Sequence, residues 1–593
     1  MKLQATQKFA AFFIAVWLVA ISSFSAMSYA KPLLKVELNK GLSSEVRNNV
    51  LGHLGTLPET ASARSSFIYE AQKHANIALQ ALGYYRAEIS QSLARPAKGV
   101  WTLTLNITVN EPTRVNEIQV EVSGDGEQDP DFIQIINQLP LKPYDILHHG
   151  KYEKIKNDLT ALGLDKGYFQ GQISTSVIAV HESFETADIK IIYDSGKRYR
   201  FGQVNFSEFN IERELLEKVV PFNYGDYFTT AQLFKLQSQL QQTQFFGSAI
   251  VTPNKKSVRK EHLPIDVKLT KAKSHYFDLG IGFSTDTDFR YSAGWRTPLI
   301  NKYGHRQETK IEYSKINPKG RFVYTIPLTH PINNLLQIQL KLSEDEYGDI
   351  TSNYTDYKLA NLRKFDRWTG QFFIRHLDER WQLTERAFHE TLVLPGFSFG
   401  KTRSYGSQID PTAGFSQFYT VEGANDGLGS NIDLIRLYGR WRFITTLKPK
   451  HRIVVRAELG AAIIDDENKE KLPPSLRFFA GGDQSIRGFA YQSLGTMRAS
   501  TFNDTETEPV VVGGTHLAVG SIEYQYYFTD TMRGVVFSDG GNAADKLAFT
   551  PVYSVGSGFH YISPIGPIRL DVGYAISEDD PSWRVHLTLG TEL

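Results

Sequence analysis

From about residue 274 onward, apolar and polar positions alternate with a period of two. Phe277, Leu279, Ile281 and Phe283 are separated by Asp278, Gly280 and Gly282. Ile568, Leu570, Val572, Tyr574 and Ile576 flank Arg569, Asp571 and Gly573, and Trp583, Val585, Leu587 and Leu589 flank Arg584, His586 and Thr588. In a strand this spacing puts rings and aliphatics on one face and charges and glycines on the other. Lipid outside and water inside a closed barrel require that division. Sixteen such runs can be marked between 274 and 593, with two long segments, Arg367–Gln382 and His389–Arg403, open to other divisions. About 320 residues, less about 50 for one long loop, leave about 17 per strand and connection, enough for a spanning strand of about 9 to 11.

Before that point the pattern changes. Residues 31 to 273 mix helical and strand periodicity, and they repeat. Phe67–Ala81 has helical spacing and runs into Gly83-Tyr84-Tyr85 and a strand at Arg86–Ser90. Tyr152–Leu162 does the same before Gly167-Tyr168-Phe169 and Gly171–Val180, and Gln232–Gln242 leads into Phe245-Phe246-Gly247. Alternating strands close the units at Trp101–Val109, Ala187–Tyr193 and Leu263–Leu269. A spacing of roughly 80 residues suits small α/β domains better than solenoid repeats.

The first thirty residues predict export. Lys2 and Lys8 precede an uncharged Phe9–Ile21, and Ser28-Tyr29-Ala30 places small residues for cleavage, so 1–30 is expected to be a signal peptide. No later stretch approaches 18 consecutive apolar residues, so further membrane contact falls to strands. Lys+Arg 65 against Asp+Glu 64 gives +1, or −1 without the two signal lysines, with no long basic block to bind nucleic acid. The absence of cysteine removes disulfides, thiol catalysis and cysteine-zinc sites.

The unit boundaries are specific. Glu111-Pro112-Thr113-Arg114-Val115-Asn116-Glu117-Ile118 and Gly196-Lys197-Arg198-Tyr199-Arg200-Phe201-Gly202 resemble junctions between POTRA domains, the periplasmic βααββ modules of outer-membrane assembly factors. The expected fold is therefore three α+β POTRA modules, 31–111, 112–197 and 198–273, followed by a 16-stranded antiparallel transmembrane β-barrel over 274–593. Each module's short sheet has an open edge that an extended client segment could join.

One long loop, 465–512, separates the strands His451–Ile464 and Leu517–Phe528. It contains Gly481-Gly482-Asp483-Gln484-Ser485-Ile486-Arg487-Gly488-Phe489, then Tyr491 and Gly495. Paired glycines permit a close turn, and a cation between apolar residues suggests a loop that tucks inward. The tip Ile486-Arg487-Gly488-Phe489 resembles the R-G-F/Y tip of the inward-folded sixth loop of the same family. A buried Arg487 needs a carboxylate. Glu523 shares parity with Ser521 and Gln525, opposite Ile522, Tyr524, Tyr526 and Phe528, and so points into the lumen. Asp539, in Phe537-Ser538-Asp539-Gly540-Gly541, matches the family's F-x-D-x-G pattern, with Val535 and Phe537 on its face.

Other motifs lack their context. Gly396-Phe397-Ser398-Phe399-Gly400 reads as a hydrolase elbow but sits in an alternating strand with no helix behind it. The segment Gly482–Gly488 has no Gly-Lys-Ser/Thr to make a phosphate cradle. His148-His149 has no third ligand and is expected in a solvated loop. Asp286 and Asp288 on a hairpin turn, and Asp465-Asp466-Glu467, lack calcium-loop spacing. No catalytic residue, metal or cofactor is expected.

The resemblance covers essentially the whole exported chain. Three modules and this loop text are most similar to the TamA group, the outer-membrane subunits of translocation and assembly modules, and the end Gly590-Thr591-Glu592-Leu593 lacks a terminal aromatic. It implies clients that are β-rich outer-membrane proteins such as autotransporters, and a TamB-like inner-membrane-anchored partner on the POTRA modules. It also implies lipid around the barrel and no nucleic acid. A lateral seam is expected between the first strand (Phe277, Leu279, Ile281, Phe283) and the last (Trp583, Val585, Leu587, Leu589), with Leu279 facing a residue near Leu587. Gly280 and Gly282 thin the first strand. The alternatives are a two-partner secretion pore for one dedicated substrate, a lipid-transport role with a TamB-like partner, a passive porin, or an outer-membrane enzyme.

Overall fold

A computed structural model describes residues 34–96, 100–383, 386–407, 409–502, 506–547, 549–564, 566–578 and 581–589. The expected signal peptide and the chain end from Gly590 to Leu593 lie outside the described residues.

Three modules share the order βααββ. The first runs β1 (Leu34–Leu38), α1 (Ser44–Leu54), α2 (Ala61–Ala81), β2 (Glu88–Ala94) and β3 (Trp101–Thr108), with sheet order β1-β3-β2 and β1 parallel to β3. The second runs β4 (Arg114–Ser123), α3 (Pro130–Asn137), α4 (His149–Lys166), β5 (Gln172–Val180) and β6 (Thr186–Asp194), ordered β4-β6-β5 with β4 parallel to β6. The third runs β7 (Arg200–Phe206), α5 (Arg213–Glu217), α6 (Thr230–Gln242), β8 (Phe246–Pro253) and β9 (His262–Lys271), ordered β7-β9-β8. Each helix buries one stripe: Ala71, Ala75, Ala78 and Leu79 on α2, and Leu233, Leu236 and Leu240 on α6. Ser43 and Thr60 cap α1 and α2 by accepting the backbone N–H three residues on, which satisfies donors the helix leaves free.

The chain divides into two compact units. One holds the first two modules with residues up to Gly202, Tyr224–Ala231 and Val258–Leu263; the other holds the rest of the third module and everything from Pro264 onward.

Within the first unit the repeated aromatic turns prove to be joints. Gly83 has φ +87°, and a Cβ there would sit 2.4 Å from the Leu147 carbonyl oxygen, so only glycine lets the end of α2 approach the second module. Thr113 N–H donates to the Gly83 carbonyl at 2.8 Å, and the Tyr85 ring stacks on Phe184 at 6.3 Å. The second turn repeats this: Tyr199 N–H donates to the Gly167 carbonyl, and Phe169 packs edge-on to Phe228 at 4.9 Å. His148-His149 belongs to such a joint and not to a solvated loop. His148 caps α4 through its Nδ1, and the His149 Nε2 lies 2.7 Å from the Tyr85 hydroxyl. A helix start needs an acceptor for its free amides, and the imidazole supplies it.

In the second unit sixteen antiparallel strands close a barrel. They are β10 (Tyr276–Ser284), β11 (Asp288–Thr297), β12 (Arg306–Tyr313), β13 (Lys319–His330), β14 (Asn334–Tyr347), β15 (Ile350–Phe365), β16 (Trp368–Leu383), β17 (Arg386–Gly406), β18 (Pro411–Ala424), β19 (Leu434–Lys448) and β20 (His451–Ile463). After a small hairpin, β21 (Met497–Phe502) and β22 (Glu506–Val511), the wall resumes with β23 (His516–Tyr527), β24 (Met532–Ala544), β25 (Val552–Ser563), β26 (Gly566–Ala575) and β27 (Trp583–Leu589). The two segments that allowed other divisions are the single strands β16 and β17. Aromatic and aliphatic residues face outward, while Asp539, Asp571 and His586 are buried on the inner face. The third aromatic turn meets the barrel: Phe245 packs on Gly304 in the β11–β12 turn, where Glu212 also pairs with Lys302 at 2.8 Å.

Asp129 in the second module gives a pH test. It is buried, and it accepts from Lys166, from the Tyr168 hydroxyl at 3.1 Å and from Arg198 at 3.3 Å. Burial opposes its charge, but the Lys166 hydrogen bond and the Asp131 amide outweigh burial and hold the carboxyl below the usual range. A depressed folded pKa stabilises above the unfolded value and loses that stabilisation as pH falls through the folded one. Asp129→Asn should therefore destabilise the module region by about 1–3 kcal/mol near neutral pH, a gap that narrows below about pH 4. Melts of a soluble 31–271 fragment followed by circular dichroism at pH 6 and pH 3 check it; a gap that widens in acid would refute it.

Candidate functional site

The long loop crosses the barrel interior and is held at both ends. Its stem begins with two short 3-10 turns, Asp466–Lys471 and Pro474–Leu476. Ser475 donates to the buried Glu379 of β16 through its N–H, at 3.1 Å, and through its hydroxyl. Arg436 of β19 donates to the Leu476 carbonyl at 3.0 Å and pairs with Glu422. Leu472, Leu476 and Phe478 join Leu377, Leu392, Leu394 and Leu434 in an apolar cluster inside the barrel. The hairpin β21–β22 was not expected from sequence. Beyond it, Val512 packs on Ile350 and Trp381, and Asp349 accepts the Val511 N–H.

At the tip, Gly481 and Gly482 have φ near +100°, which turns the chain back on itself so that Gly482 N–H reaches the Phe489 carbonyl at 3.1 Å. Ile486 and Phe489 are buried in the apolar cluster. Arg487 is 1 % exposed. Its Nε and Nη2 grip Asp539 bidentately at 2.9 and 2.8 Å, its own N–H donates to the same carboxylate at 3.0 Å, and Nη1 reaches Glu523 at 2.7 Å. Asp571 at 3.4 Å and the Ser521 hydroxyl at 3.3 Å complete the ring, and the guanidinium lies 3.3 Å from the centre of the Phe537 ring. A planar, permanently charged fork with five donors suits this acceptor set; lysine would not. Gly488 is required by contact: a Cβ would meet the Ala575 backbone at 2.8 Å.

The structure thus brings Arg487, Glu523 and Asp539 together and adds residues that sequence reasoning missed. Asp571 sits on β26 with its parity in plain view, but parity alone does not set height along the barrel. His586 links the tip to the last strand, its Nε2 lying 2.8 Å from the Arg487 carbonyl and its Nδ1 3.2 Å from Asp286. Asp286 in turn accepts the Asp483 N–H at 2.7 Å. The hairpin turn dismissed as a calcium loop therefore ties first strand, loop tip and last strand together.

The two edge strands of the wall, β10 and β27, meet there. β10 pairs with β11 over its whole length, from Tyr276↔Arg296 to Ser284↔Asp288, and β27 pairs with β26 from Leu589↔Ile568 to Trp583↔Tyr574. Between β10 and β27 one register pair exists among the described residues, Ser284↔Thr588, with the Thr285 N–H donating to the Leu587 carbonyl at 3.3 Å. Phe277, Leu279 and Ile281 are 74 %, 88 % and 74 % exposed on the outer face; Trp583 and Val585 are exposed and Phe283 is half-buried. The expected facing of Leu279 and Leu587 is corrected. Leu587 lies at Thr285, because the pair Ser284↔Thr588 sets the register there.

The remaining motifs acquire no chemistry. Ser398 is buried on the inner face of β17, with no helix behind it. Among the described residues no group of three His, Asp or Glu could hold a metal.

Residues 267–593 match the model of the Omp85 superfamily domain, and residues 37–109 match that of POTRA domain TamA domain 1. The outer membrane protein assembly factor BamA of Neisseria meningitidis serogroup B is 20 % identical over 586 residues, covering 86 % of this chain and 71 % of the relative. The crystal structure of BamA from Haemophilus ducreyi lacking POTRA domains 1–3 superposes with a TM-score of 0.66 at 16 % identity, covering 81 % of this chain and 99 % of that one. CdiB from Acinetobacter baumannii aligns with a TM-score of 0.46 at 14 % identity, over 90 % and 100 % of the two chains.

Arg487→Ala removes the guanidinium that three buried carboxylates share and should destabilise the barrel by about 3–5 kcal/mol while still permitting it to form. In a double-mutant cycle on purified protein, coupling to Asp539→Asn should exceed coupling to Glu523→Gln, because Asp539 takes three of the bonds. Thermal stability is the measurement, and zero coupling at both carboxylates would refute the docking energy.

Proposed function

This chain belongs to the Omp85 superfamily, with its barrel in the outer membrane and its POTRA modules in the periplasm, and we propose that it assists insertion or secretion of β-rich outer-membrane proteins through the seam between β10 and β27. The observation that carries this is that, among the described residues, one register pair joins those strands, Ser284↔Thr588. Backbone N–H and C=O groups facing lipid without partners are costly, several kcal/mol for each in hydrocarbon. A client strand arriving at the seam satisfies them by pairing with β10 or β27, and so lowers its own insertion barrier. No covalent step is needed.

Two further features support the reading. The β2, β5 and β8 edges of the module sheets lie in the periplasm and can hold an extended segment by backbone pairing before it reaches the membrane. The third module bonds to the β11–β12 turn, next to the hairpin that carries one seam edge, so a load on that module reaches the seam through one strand. The finer assignment is a TamA-type subunit that handles autotransporters and engages a TamB-like inner-membrane-anchored partner. It is supported by the three modules and by the first module's similarity to POTRA domain TamA domain 1. Co-purification from envelopes should recover a large inner-membrane-anchored protein with the full chain and lose it when 31–111 is deleted; its absence from both would refute the partner.

Hydrogen bonding at Thr285 and Leu587 makes Ser284 and Thr588 the close, non-hydrogen-bonded pair, with Cα atoms about 4.5 Å apart, within the range a disulfide spans. Ser284→Cys with Thr588→Cys in this cysteine-free chain should therefore oxidise readily, leave heat-modifiable mobility intact and abolish client insertion until reduced. Undiminished insertion by fully cross-linked protein would end the seam mechanism.

A further inference from the structure

Across five neighbouring strands the inner face of the barrel carries a cation at every step. Lys310 on β12 stands directly opposite Arg321 on β13, Arg321 opposite Lys341 on β14, and Lys358 on β15 opposite Arg375 on β16. Lys341 and Lys358 are diagonal neighbours, since Asp356 faces the first and Gln339 the second. Their parity is lumenal. Ser343 and Asp345, on the face of Lys341, and Tyr354 and Ala360, on the face of Lys358, are buried, whereas Ile338, Leu342, Tyr357 and Leu359 are exposed on the outer face. Like charges set directly opposite one another destabilise a sheet, so the row needs anions.

Carboxylates neutralise the two ends. Lys310 pairs with Glu312, which also takes Lys319 at 2.9 Å, and Arg375 pairs with Asp356 at 3.0 Å and with Glu422 at 2.9 Å. The three cations between them have no ion pair among the described residues. Neutral groups hold each one instead. Arg321 donates to the Gln339 side-chain carbonyl at 3.3 Å, Lys341 to the Tyr354 hydroxyl, and Lys358 to the Gln371 side-chain carbonyl at 3.0 Å while lying 3.8 Å from the centre of the Phe373 ring. A neutral acceptor fixes where a cation points and leaves its charge uncompensated, and inside a lumen that charge is screened less than on an open surface.

A cavity of about 460 Å³ leads to the row from the third module. Gln244, two residues past α6, lines one part of it, and Thr325, Val323 and Arg321 line it in succession along the inner face of β13. Arg306 and Glu308 of β12 face it as well and offset each other in charge. The wall behind the row is closed, because β12 to β16 pair without interruption at these positions. Whatever meets the three cations therefore comes along the lumen and not out of the membrane.

We propose that this row binds an extended, acidic polypeptide segment that enters the barrel past the third module. Strands about 4.8 Å apart spread Arg321, Lys341 and Lys358 over about 10 Å of wall, wider than one phosphate or carboxylate. Acidic side chains at alternate positions of an extended segment, about 6.8 Å apart, cover that width with two. The Arg321 fork and the two ammonium groups each supply a charge-assisted bond to a carboxylate, stronger than the bonds their neutral partners give. The inference rests on the assembly reading only in taking the segment to be a client's; the wall defines the site without it.

The test is calorimetric titration of the purified full chain, in phosphate-free maltoside detergent at low salt, with an acetylated peptide of alternating Glu and Ser. Saturable binding is expected, weakened about tenfold or more in Lys341→Gln/Lys358→Gln and falling steeply as salt is raised. The same peptide with Gln in place of Glu should not bind. Arg321→Gln alone, at a residue exposed to the lumen, should weaken binding severalfold and keeps the test decisive if the double variant folds poorly. Equal affinity in wild type and variants overturns the proposal. Inorganic phosphate that displaces the peptide at equal concentration would reduce the row to a general anion site and overturn the segment, and dihexanoyl phosphatidylglycerol that does so would assign it to lipid. Client insertion through a cross-linked seam would overturn the assembly reading and leave peptide binding as it is, so the two readings fail separately.

Discussion

A permanently charged guanidinium removed from water at the middle of a barrel must be compensated, and the rest of the interior is arranged around that requirement. Arg487 cannot shed its proton, so three carboxylates and a ring face converge on it from β23, β24 and β26. The last of those strands, β26, stands beside the last strand of the wall. The electrostatic demand of one loop residue thereby organises one side of the barrel, and His586 carries it to the edge strand through the Arg487 carbonyl.

The stem of the same loop is bound to other strands of the wall, β16 and β19. The segment between stem and tip is consequently a strut across the lumen. It fills the space a passive conduit would need, and through Asp286 and His586 it ties the first and last strands together from within. Side-chain contacts can be exchanged one at a time, whereas a ladder of backbone bonds resists until it is lost together.

Much of this was legible in the alternation of residues. A period of two announces a two-faced strand, and sixteen repetitions with one long polar interruption leave little but a barrel with an inward loop. The parity of Glu523 and the motif around Asp539 identified two of the carboxylates. What stayed hidden was height. Sliding a strand by two residues leaves every side chain on its own face, so parity could not show that Asp571 is level with Arg487, that His586 meets Asp286, or that Thr588 of β27 stands opposite Ser284 of β10. The first strand and first helix of each module were also missed; of those helices α3 and α5, at eight and five residues, are too short to carry a period. The aromatic turns were visible as repeats, but their use as joints depends on contacts between segments distant in sequence.

Those joints bear on how such chains diversify. Each is made from the turn between the second helix and second strand of one module and residues of the next, with Gly83 admitting the Leu147 carbonyl and Gly167 the Phe228 side chain. A duplication or loss of one whole module would carry half a joint at each of its ends, and the halves would already match. Module number can then change by recombination without the invention of a new interface, and the distance spanned across the periplasm becomes a trait inherited in whole units.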